Sequence, residues 1–162
     1  MKSLLFVCLG NICRSPAAEE IFRALAAKNN LTDFKAASAG IGDWYVGHLP
    51  DDRMREAAQD RGHFLASRAQ AFKKEFLDSY DLILAADTEV LHDLYKFADT
   101  PQMKSKIHLL TSFSPIYRGE NIPDPFYGGR KDFDLVLDML EDSCQGLIDY
   151  FKNQNSKKNG PS

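Results

Sequence analysis

Cys8-Leu-Gly-Asn-Ile-Cys-Arg14-Ser15 is the stretch on which the reading of this 162-residue chain turns. The apolar run before it, Leu4-Leu5-Phe6-Val7, has the length of one buried strand. After it, Pro16-Ala-Ala-Glu-Glu-Ile-Phe22 reads as the first turns of a helix, so the octet is a strand-to-helix turn. In this reading Ser15 caps the helix, Pro16 takes its first position, and Gly10 and Asn11 accept positive φ. A loop curled in this way turns its backbone N–H groups inward at a helix N-terminus, which suits a tetrahedral oxyanion, and Arg14 adds a planar charged fork for two of its oxygens. The same positive field favours thiolate over thiol, so Cys8, at the base of the loop, is expected to ionise readily and act as a nucleophile. The Cys-x5-Arg spacing alone is a weak signal in a chain with three cysteines. The strand before it, the Gly and Asn within it and the Ser-Pro helix start after it give it weight.

Outward from the octet, strand and helix alternate. Ala18, Ile21, Phe22 and Leu25 form a helical stripe that ends at Lys28-Asn-Asn. Phe34-Lys-Ala-Ala-Ser-Ala39 is a second strand, closed by Gly40-Ile-Gly, and Pro50-Asp-Asp starts a helix with Met54, Ala57 and Ala58 on one face. Phe72 to Leu77 suggests a short helix. Asp81-Leu-Ile-Leu-Ala-Ala86 is an interior strand, and Asp87 caps the helix carrying Val90, Leu91, Leu94 and Tyr95. Ile107 to Leu110 is a fourth strand, Phe113 to Gly129 a loop rich in Pro, Gly and Tyr, and Phe133 to Phe151 a long final helix. Four such units predict a single three-layer α/β domain: a four-stranded parallel sheet with helices on both faces, the phosphate-binding loop after strand 1, and the site at the strand C-terminal ends. The domain is expected over residues 1–152, and 153–162, polar and without apolar periodicity, as a disordered tail.

Composition narrows the function. A 44% hydrophobic chain of this length forms one domain with a sizeable core. The net charge of −3, with scattered Lys and Arg, predicts no nucleic-acid partner. No stretch is long enough to cross a bilayer, so no membrane association is expected. The short apolar N-terminus lacks a small-residue cleavage site, and three cysteines fit a reducing compartment. The expected location is cytoplasmic, a pattern shared with proteins exported without an N-terminal signal. Neither zinc-ligand spacing nor a Gly-Lys-Ser/Thr nucleotide loop is present, so no metal or other cofactor is expected. In Ile122-Pro-Asp-Pro-Phe-Tyr127, Asp124 reads either as a turn initiator or as a carboxyl held on a stiff loop to protonate a leaving oxygen. Trp44, Tyr45, Phe126 and Tyr127 are either loop anchors or walls of a pocket.

The octet resembles the signature loop of the low-molecular-weight protein tyrosine phosphatases, and the resemblance extends over nearly the whole chain. It implies hydrolysis of phosphotyrosine in protein substrates, and of small aryl phosphates, through a phosphocysteine on Cys8. Arg14 and the amides of Leu9, Gly10, Asn11, Ile12, Cys13 and Ser15 would hold phosphate. Asp124, in the family's Asp-Pro-aromatic-aromatic segment, would be general acid and then base; Phe126 stands where a tyrosine is frequent. By the same resemblance Trp44, Phe126 and Tyr127, with Tyr45, wall the substrate, and Asn11, Ser15, Ser38 and Glu19 form a supporting network. Cys13 would be the redox partner of Cys8. Many members carry a histidine in that network where this chain has Ser67. Cys144 reads as core, and the protein as a monomer or weakly self-associating.

Two other functions compete. Arsenate reduction on a similar scaffold needs two further cysteines to carry a disulfide outward, and Cys144 alone remains. A non-catalytic phosphotyrosine-binding module is disfavoured by the presence of Cys8, Arg14 and Asp124 together.

Overall fold

The computed structural model describes residues 1–159. Its core is a four-stranded, all-parallel sheet in the order β2-β1-β3-β4, formed by β1 (Lys2–Cys8), β2 (Phe34–Gly40), β3 (Leu82–Ala85) and β4 (Ile107–Leu109). β1 is central, and from Leu4 to Cys8 every side chain is buried, which is why this strand reads as an unbroken apolar run rather than an alternation.

Its alternate residues serve two cores. Leu4 and Phe6 pack with α1 (Arg14–Lys28), α2 (Asp52–Gln59) and α6 (Arg130–Asn159). Leu5 and Val7 face the opposite layer, built from α3 (Phe76–Ser79), α4 (Thr88–Phe97) and α5 (Pro101–Ser105). At about 1.5–3 kcal/mol per fully buried large apolar side chain, Leu4, Leu5, Phe6 and Val7 make this strand the most firmly held element of the sheet.

The strand order determines where a ligand fits. From β1 the chain crosses to β2 on one side, whereas β3 leads to β4 on the other, so the loops after β1 and β3 diverge at the carboxyl edge and leave a crevice. The Cys8–Ser15 loop fills it.

Several boundaries differ from the sequence reading. α1 begins at Arg14 rather than Pro16; its N-cap is Cys13, without a side-chain capping bond, so Ser15 is not the cap and Pro16 is the third helical residue. The reason is local: the Ser15 hydroxyl is taken by the preceding loop. The short third helix spans Phe76–Ser79 instead of Phe72–Leu77, because Gly40–Phe72 backbone pairing draws the earlier residues against the end of β2. The expected tail is helical as far as Asn159, since residues 153–159 contain no Gly or Pro to interrupt a helix already propagating; residues 160–162 lie outside the described residues. No helix among the described residues is long and apolar enough to cross a membrane.

Gly40, paired in register with Cys8, shows how closely the Cys8–Ser15 loop sits on the sheet. A Cβ built there would stand 3.0 Å from the Gly10 carbonyl carbon and 3.1 Å from Asn11. Gly40→Ala is expected to cost roughly 1–3 kcal/mol by overpacking. Urea unfolding of the variant checks this; unchanged stability would mean that the loop yields freely.

Candidate active site

The octet wraps around a sulfur. Cys8 ends β1, and its Sγ lies 3.0 Å from Ser15 Oγ and 3.3 Å from the Asn11 backbone nitrogen, whose N–H donates to it. Asn11 takes the left-handed conformation, φ 57°; Gly10 does not. That conformation costs a non-glycine residue about 1–2 kcal/mol, less for Asn, and the side chain offsets it with three hydrogen bonds worth about 1 kcal/mol each. Nδ2 donates to Ser15 Oγ (2.8 Å) and to Ser38 Oγ (2.9 Å), while Oδ1 accepts from the Gln70 backbone N–H (2.9 Å). A glycine would turn the chain as easily but hold nothing.

This network also orients a proton. Because Ser15 Oγ accepts from Asn11, its own hydrogen is free for a neighbour, and the sulfur at 3.0 Å is nearer than the Ala39 carbonyl at 3.5 Å. Farther back, Ser38 Oγ donates to Glu19 Oε1 (2.8 Å), and the other oxygen of Glu19 pairs with Arg23 (2.9 Å). Ser67 makes no hydrogen bond in this network; the Gln70 amide serves Asn11, and Arg23 serves Glu19.

Arg14 is 3% exposed, and two partners fix its guanidinium: Asp87 Oδ2 at 2.6 Å and the Ile122 carbonyl at 2.9 Å. Burial opposes its charge, but Cys8 and the hydrogen-bonded Asp87 carboxylate outweigh burial and raise its pKa above the ordinary arginine value. In the sequence Asp87 reads as a helix cap at the carboxyl edge of the sheet, without a partner in the site. It does cap α4, accepting from the Val90 N–H with Oδ1, and it uses Oδ2 to aim Arg14. A side chain 73 residues away in sequence gives no local signal for that second role.

Asp124 lies across the opening, its carboxylate 4.0 Å from Arg14 and about half exposed. The arm that carries it is fastened on both sides. Ile122, fully buried, donates its N–H to Ala86 O, and the Phe126 N–H bonds Asp124 Oδ1 at 3.1 Å. Together the loop, Asp124 and the aromatic residues enclose a pocket of about 160 Å³. Leu9, Gly10, Ile12 and Cys13 line it with Cys8 and Arg14, as do Trp44, Tyr45, Phe126 and Tyr127. Trp44 and Tyr127 are largely exposed at the rim, whereas Tyr45 and Phe126 also pack on the core and so combine the anchor and wall readings. Burial, then nearby Asp51, pushes the Cys13 thiol far up, so Cys13 is held protonated. Cys144, fully buried, packs in the core between α1 and α6.

Residues 3–158 match the model of the family described as low molecular weight phosphotyrosine protein phosphatase. A low molecular weight protein-tyrosine-phosphatase of Streptomyces coelicolor is 38% identical over 152 residues, covering 92% of this chain and 93% of that one. The low molecular weight phosphotyrosine protein phosphatase of Sus scrofa is 37% identical, with 91% and 94% covered. A crystal structure of a protein tyrosine phosphatase from Entamoeba histolytica superimposes with a TM-score of 0.92 at 35% identity, covering 96% of this chain and 99% of that one. A match over nearly the whole length, on a chain whose first βα turn curls around a cysteine and an anchored arginine, places this protein in the low molecular weight phosphotyrosine protein phosphatase family.

Proposed function

We propose that the protein hydrolyses phosphotyrosine in protein substrates, and small aryl phosphates, through a phosphocysteine on Cys8. The observation that carries this reading is the convergence of one sulfur, one buried guanidinium and one carboxylate on a single aromatic-walled pocket. Cys8 attacks phosphorus as the bond to the aryl oxygen breaks, and Asp124 gives that oxygen its proton. Asp124, now ionised, takes a proton from a water that attacks the phosphocysteine and releases inorganic phosphate. The Ser15 hydroxyl and the Asn11 N–H receive the departing sulfur. Arg14 and the loop amides hold the equatorial oxygens through both displacements. Cys8→Ser is expected to abolish phosphate release from an aryl phosphate, and Asp124→Asn to slow it by roughly 10²- to 10⁴-fold. Full activity in Cys8→Ser would refute the mechanism.

The depth of the pocket supports the substrate class. Cys8 is 3% exposed beneath the rim formed by Trp44 and Tyr127. A phenyl ring carries its phosphate down between such walls, whereas the single methylene of phosphoserine leaves the peptide backbone against the rim. Matched peptides should therefore show strong preference for phosphotyrosine in kcat/KM; equal values would remove the walls from the account.

Cys13 fits the role of a reversible oxidation partner because it lines the same pocket as Cys8 and both thiols are free. Peroxide oxidises Cys8 to a sulfenic acid, and attack by the Cys13 sulfur expels water and closes a disulfide. Peroxide-treated wild type should regain activity with dithiothreitol, whereas Cys13→Ser should lose it irreversibly; equal recovery would exclude the role.

A further inference from the structure

Arg53, the second residue of α2, takes no part in the chemistry above, yet it touches both halves of the site. Its guanidinium is chelated by Asp51, with Nε to Oδ1 at 3.1 Å and Nη2 to Oδ2 at 3.0 Å. The Arg53 backbone N–H donates to the same carboxylate at 2.8 Å, so the fork is fixed in place although about half of the side chain is exposed. The hydrogen bond to Asp51 holds the Arg53 charge, raising its pKa above the ordinary value. Held in this way, the guanidinium carbon stands 5.3 Å from the Phe126 ring centroid and 4.9 Å from that of Phe133. Phe133 is buried in the first turn of α6; Phe126 belongs to the arm that carries Asp124.

The connections continue in both directions. The Asp51 backbone N–H donates to the Ile12 carbonyl at 2.8 Å, tying this cluster to the phosphate loop. On the other side the Phe126 N–H holds Asp124 Oδ1. Between its two neighbouring prolines Asp124 has one anchor at Ile122 and one at Phe126, whose ring packs on the core and against the Arg53 guanidinium. A fixed guanidinium on an aromatic face supplies a contact with both dispersion and charge–quadrupole attraction.

We propose that Arg53 is a positioning residue for the proton donor: through Phe126 it sets the distance between the Asp124 carboxyl and the phosphate loop. The inference rests on Asp124 being the general acid. It predicts a selective defect, because a misplaced acid matters most when the leaving oxygen is strongly basic. In Arg53→Ala, kcat/KM for phenyl phosphate should fall about 10- to 100-fold, part of the span general acids supply, and that for 4-nitrophenyl phosphate several-fold less. Vanadate inhibition should be unchanged. In an Asp124→Asn background the same substitution should add little.

An equal fall on both substrates, weakened vanadate binding, or a full additional loss in the double variant would overturn the proposal, since each points to the phosphate loop or to general loosening. Asp124→Asn alone separates the two levels: if it does not steepen the leaving-group dependence, the acid assignment fails and Arg53 with it; if it does and Arg53→Ala does not, only the role of Arg53 fails. Arg53→Lys keeps the charge but neither the bidentate fork nor the flat face, and should give a smaller selective loss; it carries the test if thermal melting shows Arg53→Ala unfolded.

Discussion

The site depends on one backbone constraint: Asn11 held in the left-handed conformation by its own side chain. That turn aims the Asn11 amide at the Cys8 sulfur, and the hydrogen bonds that hold it extend inward to Ser38 and Glu19 and across to the Gln70 backbone. Loop shape and sulfur environment are therefore one arrangement. The Asn11 amide that fixes the turn also leaves the Ser15 hydrogen free for Cys8, so the groups that contact the sulfur are those that shape the loop.

The sheet gives this loop its rigid base and its partners. β1 is buried on both faces, and the change of crossover direction between β1 and β3 opens the crevice in which the loop sits. The turn after β3 delivers Asp87 to aim Arg14, and the long connection after β4 delivers Ile122, whose carbonyl takes the same guanidinium, and then Asp124. Arginine and carboxylate thus face a common opening from separate segments, with Arg14 fixed by two partners before any phosphate arrives. Electrostatic preorganisation of this kind needs little reorganisation during reaction.

Much of this was legible in the chain because its signals are local. The apolar runs of β1 and β3, the stripe of α6 and the glycine, asparagine and proline around Cys8 each report on their own element. What stayed hidden was set by distant contacts. Asp87 has the appearance of a cap because capping is local, while its bond to Arg14 joins the turns after two neighbouring strands that are distant in sequence. Ser15 is a nearer case: it resembles a cap, and the loop's own Cys8 and Asn11 claim its hydroxyl, in keeping with the network that the family resemblance implied. Gln70 contributes through a backbone N–H, for which no residue type is diagnostic. The last turns of α6 lack apolar spacing because they need none to continue a helix already formed.

The central claim is that Cys8, and no other group, receives the phosphoryl from substrate. Acid quench during turnover of 4-nitrophenyl phosphate, followed by mass spectrometry of the digested protein, tests it most directly. The account predicts one added phosphoryl group on the peptide containing Cys8, lost on standing at neutral pH in the native enzyme and absent from Cys8→Ser. Steady turnover with that peptide unmodified, or with the phosphoryl group on another residue, would contradict it.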